Sequence, residues 1–562
     1  MKPVRGGGRM RPFLLLWLAW SVAVWAGPKP PRAAIASAHP LATAAGFEIL
    51  DQGGNAFDAA VAVAAALAVV EPAGSGLGGG GFFLLHRARD GRQVMLDARE
   101  TAPLAARRDM YLDAAGNPIP RASIDGPLAA GIPGVPAALA HLAENYGRLP
   151  LRRSLAPAIR YAREGFVVGP RYLEQVERRQ AVLRRYPAAA AVFLEKGQVP
   201  RPGFRLVQPD LARVLEALAA RGLAGFYDGW VAERLLAGVR AAGGIWSRAD
   251  LARYRVVERR PVVGRYHDVR IVSAAPPSSG GVVLVETLNI LSAYTLTRLD
   301  PATAKHLIVE AWRRAYRDRA LYLGDPDFVS MPLRRLLSPD YAAGLRAAIR
   351  PDRALPSAWL AAEPETGGAG ADTTHFSILD RDGNRVAATL SVNYLFGSGF
   401  VAPGTGVLLN DEMDDFAIKP GVPNLYGLVG GSANAIAPGK RMLSSMTPTF
   451  LETPDRIAVL GTPGGSRIIS MVTLAALDFA AGFRPALWVA WPRFHHQYLP
   501  DEIQYEPGAL SGAERRALRR RGHRLKALGR TYGNMQAILW DCFLDRVEAA
   551  SDPRGEGRAV VR

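Results

Sequence analysis

The sequence predicts an α+β fold whose helices and strands are grouped instead of alternating strictly. Helical patterns dominate between residues 137 and 323, and strand patterns dominate after Thr373. Each region also holds elements of the other type, namely strands at Val262–Tyr266 and Val269–Ser273 and helices near Arg467–Ala480 and Ser511–Arg521. Grouped elements are typical of layered α+β packing and argue against a doubly wound parallel sheet.

The first predicted elements are two apolar helices and a strand. We expect helices at Leu41–Asp51 and Asn55–Val70, because Gly53-Gly54 separates two apolar helical patterns. The strand Phe82–His86 follows a glycine-rich stretch, Gly74–Gly81. This stretch matches the GxGxxG pattern of dinucleotide-binding proteins, but that site requires the order strand, glycines, helix. The order here is helix, glycines, strand, so a tight turn is the better interpretation.

A hairpin is predicted directly after residue 372. Thr373-Thr374 opens a strand of alternating apolar and polar residues, which ends at the turn Asp382-Gly383-Asn384 and returns as Val386–Val392. The segment before it, Glu365–Ala371, is polar and glycine-rich, which is typical of a solvated loop. A strand that starts with Thr is ordinary, and on this segment alone that is the better interpretation.

The same threonine also allows a chemical interpretation. If the Asp372–Thr373 bond were cut, Thr373 would carry a free α-amine, whose pKa is about 7.7–8.0. This amine can take the proton of the residue's own hydroxyl, so that an N-terminal Thr supplies nucleophile and base together. Acyl transfer also needs an oxyanion site. Gly464-Gly465 precede a helical pattern, and N–H groups at such a turn can form an anion pocket; a plain strand-to-helix turn is the alternative.

Composition limits the other classes of function. The 562 residues are 49% hydrophobic, which is enough for a large core, and the formal net charge is +18. The basic residues are dispersed as Arg pairs without interleaved aromatic residues, so we expect no nucleic-acid partner. The single cysteine, Cys542, excludes an intrachain disulfide and is expected to be a small buried hydrophobe. The pair His495-His496 would point to opposite faces of a strand, which favours a structural role over a metal site.

The N-terminus has the three parts of an export signal. Arg5, Arg9 and Arg11 precede the apolar run Phe13–Trp25, and Ala26 supplies a small residue at the cleavage site. The run is shorter than the ~20 residues that span a bilayer. We therefore expect a signal peptide at residues 1–26, a periplasmic or secreted protein, and no stable membrane span after signal removal. A retained signal anchor is the alternative.

Seven stretches occur together in an order known from one family. They are Asp97–Pro103 (DARETAP), Pro276–Gly281 (PPSSGG), Asp372–Phe376 (DTTHF), Asn410–Phe416 (NDEMDDF), Arg441–Met446 (RMLSSM), Gly461–Arg467 (GTPGGSR) and Pro492–Gln497 (PRFHHQ). Through them the chain resembles the γ-glutamyltranspeptidases, self-processing members of the N-terminal-nucleophile hydrolases. The resemblance runs from about Ala34 to Pro553. It implies a four-layer αββα sandwich in which residues 27–372 form a large subunit and residues 373–562 a small subunit that share one core.

The resemblance also implies the roles of individual residues. Thr373 would be the nucleophile, Thr374 and Ser391 would tune it by hydrogen bonding, and Gly464 and Gly465 would form the oxyanion hole. The other implied roles concern the donor and a lid. The donor α-carboxylate would be bound by Arg99, Ser444 and Ser445. The donor α-amine would be bound by Asn393, Glu412 and Asp415. Tyr426 would close a lid, Lys419–Gly431, onto Asn393. Ser391 stands where many members have Thr, and Glu412 where members have Gln or Glu.

The expected function is therefore γ-glutamyl transfer and hydrolysis on glutathione or related compounds, after self-cleavage at Asp372–Thr373. The partners would be a γ-glutamyl donor, an amino-acid or dipeptide acceptor, and the two subunits of one precursor; no cofactor or metal is implied. One alternative is a cephalosporin-type acylase of the same superfamily, against which Arg99 and Asp415 argue because together they select an α-amino acid head. The other is an unprocessed binding protein without catalysis, which a gel would reveal as a single band.

Overall fold

A computed structural model describes residues 29–360 and 373–562. The expected signal peptide and Asp372, with the loop before it, lie outside these residues. Within the described residues, two antiparallel sheets lie at the centre of the molecule. Helices cover the outer face of each sheet, so the layers are helix, sheet, sheet and helix.

The first sheet has seven strands, all antiparallel to their neighbours. Numbered along the chain and given in spatial order, they are β18 (Arg558–Val561), β1 (Ala34–Ser37), β9 (Thr374–Leu379), β10 (Arg385–Ser391), β2 (Gly80–Arg87), β3 (Arg92–Ala98) and β6 (Val257–Arg259). Alternate residues face opposite layers: Phe83 and Leu85 pack on the helices, and Phe82 and Leu84 pack toward the second sheet.

The second sheet has six antiparallel strands. In spatial order they are β17 (Arg546–Ser551), β16 (Gln536–Asp541), β12 (Arg456–Gly461), β11 (Thr449–Glu452), β8 (Val269–Ser273) and β7 (Val262–Tyr266). The shorter strands are β4 (Phe166–Val167), β5 (Arg205–Leu206), β13 (Phe494–His495), β14 (Ile503–Tyr505) and β15 (Leu525–Ala527). Both large sheets contain strands from before and after Thr373, so the two parts of the chain share one interior.

In the described part of the chain, ten helices contribute to the core on the side of the first sheet. They are α1 (Pro40–Asp51), α2 (Ala56–Val70), α3 (Val135–Asn145), α4 (Leu151–Glu164), α5 (Pro170–Arg185), α6 (Pro187–Phe193), α7 (Pro209–Arg221), α8 (Ala224–Tyr227), α9 (Gly229–Ala241) and α10 (Arg248–Arg253). The other helices contribute to the core of the second sheet. They are α11 (Gly280–Leu291), α12 (Pro301–Tyr322), α13 (Leu333–Leu336), α14 (Pro339–Ala347), α15 (Arg467–Ala480), α16 (Pro485–Ala490) and α17 (Gly512–Arg520).

Local sequence explains how the first helices begin. The Asn55 side chain caps α2 by accepting from the N–H groups of Phe57 and Asp58, and Asp58 in turn accepts from the Asn55 N–H. The glycine-rich stretch is a turn, as predicted, because it leads from α2 into β2. A Cβ atom on Gly79 would lie 2.0 Å from the carbonyl oxygen of Ser391, so glycine allows the turn to approach the end of β10.

No helix among the described residues is long and apolar enough to cross a membrane.

Candidate active site

The candidate nucleophile lies at the start of a central strand. Thr374 is the first residue of β9, which lies between β1 and β10, and Thr373 immediately precedes it with 5% of its surface exposed. The Thr374 hydroxyl donates a hydrogen bond to the carboxylate of Glu71, at the end of α2. Thr373 is therefore fixed at a sheet end, where the next strand and the glycine-rich turn meet.

One narrow cavity brings together most of the residues implied by the sequence. Its lining includes Arg99, Thr373, Ser391, Asn393, Glu412, Asp415, Tyr426, Ser444, Ser445 and Gly465. The other two predicted site residues, Thr374 and Gly464, lie beside this cavity. The Thr374 side chain points to Glu71, and Gly464 lines a neighbouring cavity of about 240 Å³.

The end of β10 turns sharply at the site. Ser391 is the last residue of β10, and its Oγ accepts from the N–H of Asn393 at 2.7 Å. Asn393 has a φ of 74°, a conformation that Asn adopts more readily than most other residues. Its side-chain amide donates to the carbonyl of Asp411 at 3.0 Å. The side chain of Asn393 is therefore anchored to the segment that carries the acidic residues.

Arg99 and the acidic residues form a buried ion cluster. Arg99 Nη1 lies 2.8 Å from Glu412 Oε2, Arg99 Nη2 pairs with Asp415, and Arg99 has no exposed surface. Burial raises the pKa of Glu412 to about 7, against the opposing effect of Arg99, and burial also raises the pKa of Asp415. Burial lowers the pKa of Arg99, but Glu412 and Asp415 outweigh it and raise that pKa above its ordinary value. The groups expected to hold opposite ends of a donor thus pair directly with each other here.

Two serines face this cluster. The Ser444 N–H donates to the carbonyl of Pro277 at 2.8 Å, and the Ser279 N–H donates to the carbonyl of Ser444 at 2.8 Å. The Ser445 hydroxyl accepts from Nη2 of Arg319 at 3.3 Å. The PPSSGG stretch singled out in the sequence is therefore the support on which the serine pair rests.

The glycine pair forms a turn before α15. Gly464 has a φ of 145° and Gly465 a φ of 57°, both of which favour glycine. A Cβ atom on Gly465 would lie 2.4 Å from the ring of Tyr426, so this position also has no room for a side chain. Gly465 lines the same cavity as Thr373, which agrees with the expected oxyanion hole beside the nucleophile.

The predicted lid segment covers the cavity. Tyr426 is only 6% exposed, and its hydroxyl donates to the main-chain carbonyl of Asn393 at 2.8 Å. Asn424 donates to Asp415 at 3.0 Å, and the Leu425 N–H donates to Asp414 at 2.9 Å. Because the segment is bonded across the site, the remaining cavity is only about 20 Å³.

Three features of the structure were not predicted from the sequence. Glu71, which directly follows α2, and Arg319, one of several arginines on α12, belong to no recognised motif. A third feature is the buried cluster of His306, Glu310 and His523, whose ligand atoms lie within 4.8 Å of one another. His306 bonds His523 at 2.7 Å and the Arg350 carbonyl at 2.7 Å. Because Glu310 pairs with two arginines, these groups form a hydrogen-bonded structural cluster.

The two histidines considered in the sequence, His495 and His496, are also hydrogen-bonded. His495 bonds the Ser470 hydroxyl at 2.8 Å and Gln497 at 2.8 Å, and His496 bonds Asp501 at 3.2 Å. Cys542 is half-buried, and burial raises the pKa of its thiol to about 11. These contacts agree with structural roles for the two histidines, whereas Cys542 is less buried than expected.

Comparison with known proteins identifies the family. The family model described as Gamma-glutamyltranspeptidase matches residues 42–561. A "Glutathione hydrolase proenzyme" of Pseudomonas sp. (strain A14) is 47% identical over 85% of this chain and 84% of its own length. The protein with the same description from Escherichia coli (strain K12) is 41% identical, over 92% of this chain and 90% of its own length.

A solved structure shows the same architecture. The cephalosporin acylase of Bacillus halodurans superposes with a TM-score of 0.83 at 29% sequence identity, covering 95% of this chain and 96% of its own. The shared four-layer core and the family model agree. The chain belongs to the gamma-glutamyltranspeptidase family.

Proposed function

We propose that the chain is a self-processing γ-glutamyltransferase that also hydrolyses glutathione and related γ-glutamyl compounds. One observation carries this proposal: one cavity holds Thr373 together with a guanidinium, two carboxylates and three serine hydroxyls. A free amino acid head carries one carboxylate and one ammonium, and these side chains offer partners of opposite charge for both. The relatives called glutathione hydrolase proenzymes support both the substrate class and the precursor state.

Processing would convert the precursor into the enzyme. In the uncut chain the Thr373 nitrogen belongs to the peptide bond from Asp372 and is not a base. Attack of Thr373 Oγ on the Asp372 carbonyl would form an ester and release the nitrogen, and water would then hydrolyse that ester. The products would be residues 27–372 and 373–562, with a free α-amine on Thr373.

Acyl transfer would then use the same hydroxyl. Thr373 Oγ attacks the γ-carbonyl carbon of the donor while the α-amine takes its proton and passes it to the leaving nitrogen. The N–H groups of the Gly464-Gly465 turn would stabilise the oxyanion. Water or the amine of an amino acid or dipeptide then attacks the ester, returns the proton to Thr373, and releases glutamate or a new γ-glutamyl compound.

Donor binding would replace the internal ion pairs of the cluster. The donor carboxylate would take the place of a protein carboxylate at Arg99, with the hydroxyls of Ser444 and Ser445 beside it. The donor ammonium would bind Asp415 and Glu412. Exchanging one ion pair for another keeps every buried charge compensated, which is required in a site shielded from water.

The cephalosporin acylase structure favours one alternative, an acylase that acts on a different acyl group. Asp415 and Glu412 decide between the two, because an acyl group without an α-amine leaves both carboxylates without that partner. Initial rates with a γ-glutamyl anilide and with the glutaryl anilide, which lacks only the α-amine, test the assignment. We expect the γ-glutamyl anilide to react faster, whereas faster turnover of the glutaryl anilide would assign the acylase function.

We propose that residues 1–26 direct the chain out of the cytoplasm and are then removed, so that the mature large fragment starts near Gly27.

The lid is expected to decide between transfer and hydrolysis. Tyr426→Ala removes both the ring beside Gly465 and the hydrogen bond to Asn393, so water reaches the acyl-enzyme more easily. Product partitioning at fixed donor and rising glycylglycine measures this, and the transfer-to-hydrolysis ratio should fall. Tyr426→Phe is the matched control. It keeps the ring and loses one neutral hydrogen bond, so we expect a change of about fivefold or less. An unchanged ratio in Tyr426→Ala would show that Tyr426 is not the gate.

A further inference from the structure

Arg319 is a second buried arginine next to the site, on α12. It is 4% exposed, and no described carboxylate forms an ion pair with it. Other arginines of the same helix do have such partners: Arg314 pairs with Glu310 at 2.7 Å and Arg317 with Asp318 at 2.6 Å. A buried cation without an ion pair is costly to the fold, so its position calls for a functional explanation.

The hydrogen bonds of Arg319 connect it to the serine pair, Ser444 and Ser445. Its Nε donates to Ser279 Oγ at 2.9 Å, and its Nη2 donates to Ser445 Oγ at 3.3 Å. The Ser279 hydroxyl in turn donates to the main-chain carbonyl of Ser444 at 2.7 Å. Arg319 therefore holds Ser445 directly and Ser444 through Ser279.

These bonds also set the polarity of the hydroxyls. A serine hydroxyl has one proton, and when its oxygen accepts from another group that proton is directed to a different acceptor. Ser445 Oγ accepts from Arg319, and Ser444 Oγ accepts from the Met446 N–H at 3.1 Å. Both hydroxyls are thus arranged as donors, which suits an anion.

The charges around Arg319 also favour an anion at the serine pair. Burial lowers the pKa of Arg319 to about 10, and Asp415 opposes this effect while Arg99 reinforces it. The guanidinium therefore stays charged at neutral pH and interacts electrostatically with Arg99 and Asp415. An anion between Arg99 and the serines would be attracted by two cations.

We propose that Arg319 is a positioning residue for the donor α-carboxylate, acting by orienting Ser445 and, through Ser279, Ser444, and by adding a second positive charge behind them. This proposal rests on the proposed function and deepens it, because it names what makes the site selective for donors that carry an α-carboxylate.

The test compares ligands that differ by one charged group. Arg319→Met and wild type are assayed with a γ-glutamyl anilide, using glutarate, which lacks the α-amine, and 4-aminobutanoate, which lacks the α-carboxylate, as competitive inhibitors. In Arg319→Met the KM of the anilide and the inhibition constant of glutarate should rise about 10- to 100-fold, as expected for loss of a hydrogen bond from a charged group. The inhibition constant of 4-aminobutanoate should stay within about twofold, as expected if no bond to that ligand is lost.

Three further variants separate positioning from general damage. Arg319→Lys keeps the charge and should recover part of the loss. Arg317→Met, a control on the same helix, should leave all three constants unchanged. In a Ser445→Ala background the effect of Arg319→Met should shrink, because the two residues act through one contact. If Arg319→Met is not processed, Ser279→Ala, which removes the Nε partner, should give the same pattern with smaller changes.

Two results would overturn the proposal: equal weakening of all three ligands, or unchanged binding of the anilide and glutarate. A wild-type protein that does not turn over the anilide would instead refute the proposed function. The two failures are therefore distinguishable.

Discussion

Thr373→Ala is expected to give a single uncut chain without γ-glutamyl-transferring activity. The hydroxyl is proposed to attack twice, first on the Asp372 carbonyl and later on the donor, so its loss blocks both steps. Removing the nucleophile of a hydrolase costs roughly a millionfold in kcat, and here the free α-amine would also never form. A denaturing gel and an anilide assay on the purified protein measure both effects.

Thr373→Ser is the matched control for this prediction. It keeps the hydroxyl immediately before β9 and loses only a methyl group, so it should still be cut and should retain activity. Cleavage of Thr373→Ala at the same bond in purified form would contradict the mechanism, because another group would then have to be the nucleophile.

Changes in the buried ion cluster should have the second largest effect. Arg99→Ala leaves Glu412 and Asp415 adjacent without their cation, and Asp415→Ala removes one of the three carboxylates that pair with Arg99, the others being Glu100 and Glu412. Leaving one charge of such a pair without its partner costs on the order of 2–5 kcal/mol in binding. Each change should therefore lower kcat/KM for a γ-glutamyl anilide by orders of magnitude while self-cleavage continues.

Conservative variants assign each group to one end of the donor. Asp415→Asn keeps the shape of the side chain and removes the charge, so it should reduce turnover of the γ-glutamyl anilide more than turnover of the glutaryl anilide. Arg99→Lys keeps a charge but loses the planar fork that suits a carboxylate, so it should reduce both. Wild-type kinetics of Asp415→Ala and Arg99→Ala on the γ-glutamyl anilide would rule the assignment out.

Local patterns in the sequence predicted many elements of the fold. The helix Arg467–Ala480 has the predicted bounds, as do the strands Val262–Tyr266 and Val269–Ser273, and the hairpin after Thr373 is shifted by one residue in its second strand. These elements are determined by apolar periodicity and by turn residues within a few positions. The pairing of β1 with β18 could not be predicted in this way, because it joins chain segments separated by more than five hundred residues.

The site was predicted mainly through motifs, and the misses have physical reasons. The motifs identified Arg99 and Asp415 but not their direct ion pair, since contact between residues 316 positions apart depends on the packing of the whole core. Arg319 could not be separated from its neighbours Arg313, Arg314 and Arg317. Which of these arginines faces the site depends on how α12 packs against the second sheet.

The most direct test of the account is mass spectrometry of the purified mature protein, quenched during turnover of a γ-glutamyl donor. We expect a fragment that begins at Thr373 and ends with the chain, of which a part carries one added γ-glutamyl group on Thr373. A single uncut chain, a fragment that begins at another residue, or a γ-glutamyl group attached elsewhere would contradict it.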